Sequence, residues 1–486
     1  MSGIPSPLVF DSQGWSQLLA DTARRHHVPG IVAGVLHIDQ ATGVSQRFVA
    51  STGVTNTRTG VESTNDTICQ IGSITKVVTA TMIMQLREEG RLELDTPISE
   101  ILTDLEFADV DASDITIRHL LTHTSGIDGD VFTDTGRGDD CLEKYVALMK
   151  DTRSLFSPGS GWAYCNSGWV LAGRIIEVLD GRTWDASLHE RISARLGLHQ
   201  FLTLPEQIIS HRSQHGHVRE PGKRDWVLAP TSSIVRSMGP AGLITSSVDD
   251  LLDFGGAFLR GGKGIAGEAL LSPDSVRLMT DTQVTLDSAA DAAAPRWGLG
   301  WMLDDWNGHR VFWHGGTTIG NKAWLQVLPD DGLAFVVFCN GGSAESAGPE
   351  IFGAFAREFA GTNPSTGSRP SGPASEARIE DALLGHYADF STSLEVAKRE
   401  DGSIEARVKR LLDPDGAEPE TVQLLPTGTP NRFVARADDL SPWTQITFTV
   451  VDGQQCAYAD IRCLPKQEQT GESDAPTGAA QGGDAA

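Results

Sequence analysis

A lysine one helical turn after a serine, at the head of an apolar run, limits what this chain can fold into. Gly72-Ser73-Ile74-Thr75-Lys76 holds its only Ser-x-x-Lys, and Ile74, Val77, Val78, Met82 and Leu86 follow at helical spacing. A helix from Ser73 to about Glu89, stopped by Gly90, places both side chains on one face. A serine hydroxyl is a weak nucleophile at neutral pH and needs a neighbouring base. Lysine serves only where burial lowers its pKa. At a helix start, Ser73 also has the positive dipole end and free backbone N–H groups beside any developing negative charge. Taken alone, the tetrad also fits an ordinary surface helix start.

Two further segments carry chemistry. In Ser157-Pro158-Gly159-Ser160-Gly161-Trp162-Ala163-Tyr164-Cys165-Asn166, a Pro- and Gly-rich turn leads into Tyr-x-Asn, which in extended geometry points Tyr164 and Asn166 the same way. A phenolate there could relay protons with a lysine. In Val311-Phe312-Trp313-His314-Gly315-Gly316-Thr317, a strand ends in glycines that let a ligand approach the backbone. Singly, these read equally as a core tyrosine, a capping asparagine and a strand end.

In this order the three motifs resemble the serine β-lactamase-like superfamily, in its branch of class C β-lactamases, D-Ala-D-Ala peptidases, D-aminopeptidases and related esterases and acyltransferases. His119-Leu120-Leu121-Thr122-His123-Thr124-Ser125-Gly126, the Gly242-Leu243-Ile244-Thr245-Ser246 turn and Trp297-Gly298-Leu299-Gly300-Trp301 also resemble that family, over roughly residues 15 to 360. The resemblance implies an α/β fold, an antiparallel sheet with surrounding helices. It makes Ser73 the acylated nucleophile, with Lys76 and Tyr164 sharing base and proton-shuttle work. Asn166 would orient Lys76 and the substrate, and His314, Gly316 and Thr317 would line the substrate and oxyanion site, with the N–H groups of Ser73 and Thr317 as donors. His314 stands where β-lactamases carry a lysine. A mostly neutral imidazole there favours substrates without a carboxylate.

The resemblance implies a serine hydrolase that forms an acyl-enzyme on a small amide or ester. An acyltransferase passing the acyl group to an amine or alcohol is the first alternative, and a penicillin-binding or ligand-sensing protein without turnover is the second. No cofactor or metal is expected. His119 and His123 lie four apart but lack the acidic neighbour of a zinc helix, and His211, His215 and His217 read as a solvated loop that could line the substrate mouth. A net charge of −25 disfavours nucleic acid and anionic membrane as partners. The first residues show neither a basic nor an apolar signal region, and the six cysteines lack ligand-like spacing. Both features lead to the expectation of a cytoplasmic protein with reduced thiols. Cys165, inside the second motif, is expected near the pocket and open to thiol reagents.

With 486 residues, 40% of them hydrophobic, the chain can bury more than one core. A catalytic domain is expected over 1–360, with strands at Ile31–Ile38, Gln46–Gly53, Arg310–Trp313, Asn321–Leu328 and Leu333–Cys339, and a helix near Pro349–Phe359. A Pro-, Ser- and Gly-rich linker covers 361–377. Seven short β-type runs over 378–465, the last ending at Ile461, suggest a small barrel or sandwich. Leu384-Gly385-His386-Tyr387 resembles the opening of the lipocalin-like domains of some relatives. From 466 to 486 the composition is that of a disordered tail.

Overall fold

The structure, a computed structural model, describes residues 11–219, 223–286, 290–291, 294–410 and 418–468. The expected tail lies almost wholly outside them.

An antiparallel sheet assembled from both ends of the first 340 residues organises the molecule. Its strands are β1 (Gly30–Ile38), β2 (Ser45–Asn56), β3 (Val61–Glu62), β4 (Val284–Thr285), β5 (Arg296–Trp297), β6 (Met302–Trp306), β7 (His309–Thr317), β8 (Lys322–Leu328) and β9 (Leu333–Cys339). Their order is β3-β2-β1-β9-β8-β7-β6-β5-β4, so β1 pairs with β9, Ile31 opposite Cys339. The central strands are continuously apolar because both faces are covered. Val32 and Leu36 enter one core with Leu325, Val336 and Phe338, while Ile31, Ala33 and Val35 enter the other with Trp15, Phe352 and Phe355.

The helix α1 (Ser12–Arg25) packs on the second face beside a helix over Ala344–Phe355. That helix begins before the expected Pro349, which sits inside it. On the first face lies α2 (Thr75–Glu88), whose residues from Thr75 to Leu86 are all buried. A helix buried all round must find partners for its polar side chains. Thr79 donates to Pro240 O at 2.8 Å, and the Gln85 amide donates to Arg191 O and Leu270 O. Gly90, at φ +70°, ends the helix as expected. Among the described residues no helix is long and apolar enough to cross a membrane.

Beyond Gly361, two further sheets of four and five strands share a separate apolar core around Tyr387, Leu394, Phe433 and Phe448. A bridge between Tyr387 and Lys466 joins the first strand of this unit to the end of its last. Its final hairpin is β10 (Gln454–Ala459) and β11 (Arg462–Pro465). The sequence runs stopped at Ile461, which lies in the turn, and missed β11. The stretch expected as a linker is tied down at several points: Thr362 donates to Trp306 O at 2.8 Å and Ser371 N–H to Pro426 O at 2.8 Å.

Candidate active site

Ser73 lies in a short 3-10 turn, Gly72–Ile74, that feeds α2, so Lys76 is the second residue of the α-helix proper. Lys76 is fully buried, and its Nζ lies 3.0 Å from Ser73 Oγ, 2.7 Å from Asn166 Oδ1 and 2.7 Å from Ala241 O. Burial drives its pKa well below the usual lysine value, against the pull of Asp130 and with the help of Arg462. A neutral amine has two N–H bonds and one lone pair. The fixed acceptors Asn166 Oδ1 and Ala241 O take both hydrogens, which leaves the lone pair for the Ser73 hydroxyl.

Tyr164 comes from the extended stretch before α3 (Asn166–Asp180), and Asn166 is the first helical residue rather than part of a loop. Cys165 caps that helix, its Sγ accepting from Gly168 N–H at 3.2 Å. The Tyr164 hydroxyl hydrogen-bonds with Ser73, and the ring centroid lies 4.9 Å from Lys76 Nζ. Burial raises the phenol pKa, the Ser73 bond opposing, so the side chain is a neutral phenol and not the phenolate envisaged from sequence. His123 stacks under this ring, centroids 4.2 Å apart and planes at 21°. It takes the left-handed conformation at a helix end, and its Nδ1 accepts from Cys165 N–H at 2.8 Å. A histidine read as one half of a zinc-like pair thus supports the tyrosine, while its neighbour His119 closes a capping box with Thr116.

The third motif ends β7 with its backbone against the serine turn. A Cβ on Gly316 would lie 1.8 Å from Ile71 O and 3.0 Å from Ser73 N, and one on Gly72, at φ +55°, would lie 2.7 Å from Thr317 N. Only glycines let these two backbones meet, which sets the N–H groups of Ser73 and Thr317 side by side at the cleft. His314 is fully buried, and burial next to Lys76 pushes its pKa down to about 3. Its Nδ1 donates to Gly315 O at 2.6 Å, and Nε2 has no hydrogen-bond partner among the described residues. The ring is therefore neutral and brings no cation.

All seven residues singled out from sequence converge, and Ser73, Tyr164, Asn166, His314, Gly316 and Thr317 line one cleft of about 430 Å³. Its walls include Phe132, Ile234, Met238, Trp313 and Trp324, and Lys322, Glu345, Asp460 and Arg462 add charge. Sequence reasoning missed Ala241, whose carbonyl carries no side-chain signal, and Asp130, which accepts from Asn166 Nδ2 at 2.8 Å. It also missed Arg462, which ion-pairs with Asp130 from the unread strand β11. Other expectations are corrected. His217 is buried between Thr57 and Asn340, with Nδ1 2.8 Å from Asn340 O, and does not line the cleft. Cys165 is 2% exposed, and burial raises its thiol pKa to about 12. Among the described residues no group of His, Cys, Asp or Glu is arranged to hold a metal.

The sequence profile of the Beta-lactamase family matches residues 15–354. The chain belongs to this family. It is 36% identical to Penicillin-binding protein 4 of Amycolatopsis lactamdurans over 72% of this chain and 91% of that one. Among solved structures, SurE with D-Leu superposes at a TM-score of 0.70 with 22% identity, covering 94% of this chain and 99% of that one, a likeness of fold. A D-stereospecific amidohydrolase from Streptomyces sp. gives a TM-score of 0.56 at 28% identity over 73% of this chain and 100% of its own. The relatives of this β-lactamase-family chain include an esterase, an amidohydrolase and acyltransferases, so the reaction class they have in common is chemistry at an acyl carbon.

Proposed function

We propose that the chain is a serine hydrolase that acylates Ser73 with a small amide or ester and releases the acyl group to water. One observation carries this reading. The Lys76 amine is buried, its two hydrogens are engaged by Asn166 and Ala241, and its remaining position faces Ser73 Oγ at 3.0 Å. Ser73 Oγ attacks the carbonyl carbon while its proton passes to Lys76 Nζ, and the carbonyl oxygen becomes an anion held by the N–H groups of Ser73 and Thr317. Fixed donors of that kind are worth roughly 3 to 4 kcal/mol each. Collapse expels the amine or alcohol, which takes a proton through the Tyr164 hydroxyl from the Lys76 ammonium. Water then repeats the sequence on the acyl-enzyme.

The raised phenol and lowered ammonium pKa values support dividing the labour, with Lys76 as base and Tyr164 as relay. The apolar wall favours an acyl group or side chain that is itself apolar, and the named amidohydrolase relative supports an amide. Acyl transfer to an amine shares every step up to the acyl-enzyme. A deacylation rate that rises with added amine, with a new amide as product, would assign it.

The test is intact-mass detection of an adduct with fluorophosphonate, β-lactam, amide and ester probes, followed by peptide mapping. The adduct is expected on Ser73 and absent in Ser73→Ala. Wild-type turnover in that variant would eliminate the assignment.

A further inference from the structure

We propose that Arg462, supplied by the C-terminal sheets, is a positioning residue for acylation: through Asp130 it fixes the Asn166 amide, and through the Tyr164 carbonyl it holds the phenol. The inference rests on the hydrolase reading above and adds a part to its machinery.

The chain of contacts is continuous. The Arg462 guanidinium ion-pairs with Asp130, whose side chain is only 6% exposed, and donates to Tyr164 O. Asp130 Oδ1 accepts from Asn166 Nδ2 at 2.8 Å, and Asn166 Oδ1 accepts from Lys76 Nζ at 2.7 Å. An amide can present either end, and only an acceptor on its far side makes it turn oxygen toward the lysine. Asp130 is that acceptor. A lone buried carboxylate so close would favour the ammonium, and Arg462 supplies the compensating charge. Its guanidinium also faces Asp128, which burial, then Asp389, pushes up to about 7, and Asp389 itself, whose pKa burial raises. The hairpin that carries Arg462 is anchored on the motif it serves. Tyr164 N–H donates to Ile461 O at 3.1 Å, and the Tyr458 hydroxyl donates to Trp162 O. The site is therefore completed by residues some 300 positions away in sequence.

The groups that face Lys76 are Asp130, Arg462, Cys165, His123 and His314, with the Tyr164 ring beside it. Of these, Arg462 and Asp130 carry opposite charges that act on it in opposite directions, and this makes the proposal testable in the full-length protein. The rate of Ser73 modification by a fluorophosphonate is followed by intact mass as a function of pH. Its acid limb reports deprotonation of Lys76. Arg462→Met leaves Asp130 uncompensated and should move the limb up by about one pH unit or more. At neutral pH the rate should then fall at least tenfold. Arg462→Lys should restore most of the limb position. Asp130→Asn should move it down, the opposite way.

An Arg462→Met limb that coincides with wild type, or variants at 462 and 130 that shift the same way, would overturn the proposal. Should Arg462→Met melt below the assay temperature, Asp130→Asn decides: a lowered limb supports the proposal, and an unshifted or raised one overturns it. A Ser73 adduct without these shifts refutes the role of Arg462 alone. No adduct on Ser73 in wild type refutes the hydrolase reading and, with it, this one.

Discussion

Asn166 and Lys76 are joined by a hydrogen bond of 2.7 Å whose direction is fixed from behind, because the NH2 end of the same amide is taken by Asp130 at 2.8 Å. The lysine therefore meets an oxygen dipole rather than a charge. This is enough to orient the amine and too little to hold a proton on it. Asn166→Asp replaces the dipole with a carboxylate beside Nζ, which favours the ammonium and sets a second carboxylate against Asp130. Acylation of an ester probe at neutral pH should fall by about a hundredfold or more. Raising the pH should recover part of it. Stopped-flow acylation across pH checks this, and a variant with wild-type rates would place the base elsewhere.

Gly316 and Gly72 make a second prediction, because their side-chain positions are filled by backbone from the opposite segment. A Cβ on Gly316 would fall 1.8 Å from Ile71 O. Gly316→Ala must push β7 off the serine turn, which separates the two oxyanion donors. The loss of kcat should be about a hundredfold or more, the size expected for one misplaced donor. Gly72→Ala adds strain at φ +55° and should lower stability by about 1–3 kcal/mol. Thermal melts and ester hydrolysis together check both. A fully active Gly316→Ala would show that the two backbones do not act as a pair.

The nucleophile and its immediate partners were legible in the sequence because each lies in a short motif with its own local geometry: Ser73 and Lys76 one turn apart, Tyr164 and Asn166 two residues apart, and His314, Gly316 and Thr317 on one strand. The central strands were legible from continuous apolar runs. What stayed hidden was set by tertiary contact. Ala241 acts through a carbonyl that any residue owns, and Asp130 sits in a polar loop without a motif. Arg462 belongs to a four-residue strand, Arg462–Pro465, too short and too mixed to show a period. His123 was visible but misread, since nothing in its spacing from His119 shows that it lies under Tyr164. Lys76 itself was the clearest sign that polar partners had to exist, because an apolar helix cannot bury a lysine without them.

The six cysteines give a simple prediction of inertness. All are buried and free, and burial lifts Cys165, Cys339 and Cys141 to about 12, 12 and 11. Thiolate, not thiol, reacts with alkylating reagents, so neither availability nor access favours reaction. In the native protein at neutral pH, iodoacetamide should modify none of them within the time that labels a free thiol in solution, and denaturant should expose all six. Activity should survive the treatment. Rapid native labelling at Cys165 with loss of activity would show that the N-cap of α3 opens toward the cleft.

His314 ties stability to pH in a direction that can be worked out. Its folded pKa is about 3, against an ordinary value of 6.5, because burial beside Lys76 penalises the cation. Between those values the unfolded chain binds the proton more strongly. The contribution of this group is therefore fully present above about pH 6.5 and is lost progressively as pH falls toward 3. By pH 5 the loss amounts to roughly 2 kcal/mol. His123, which burial also lowers well below 6.5, acts in the same sense, whereas Asp128, raised to about 7, acts in the opposite one. The raw pH profile of the melting midpoint therefore mixes several groups, and the informative quantity is a difference. Subtracting the profile of His314→Gln from that of wild type should leave a curve that is flat above pH 7 and falls steadily between pH 6.5 and 5. A flat difference throughout would mean that the imidazole takes up its proton as readily in the folded protein as in the unfolded chain. The ring would then be a cation beside Lys76 in mildly acid solution, and the cleft would attract carboxylates there after all.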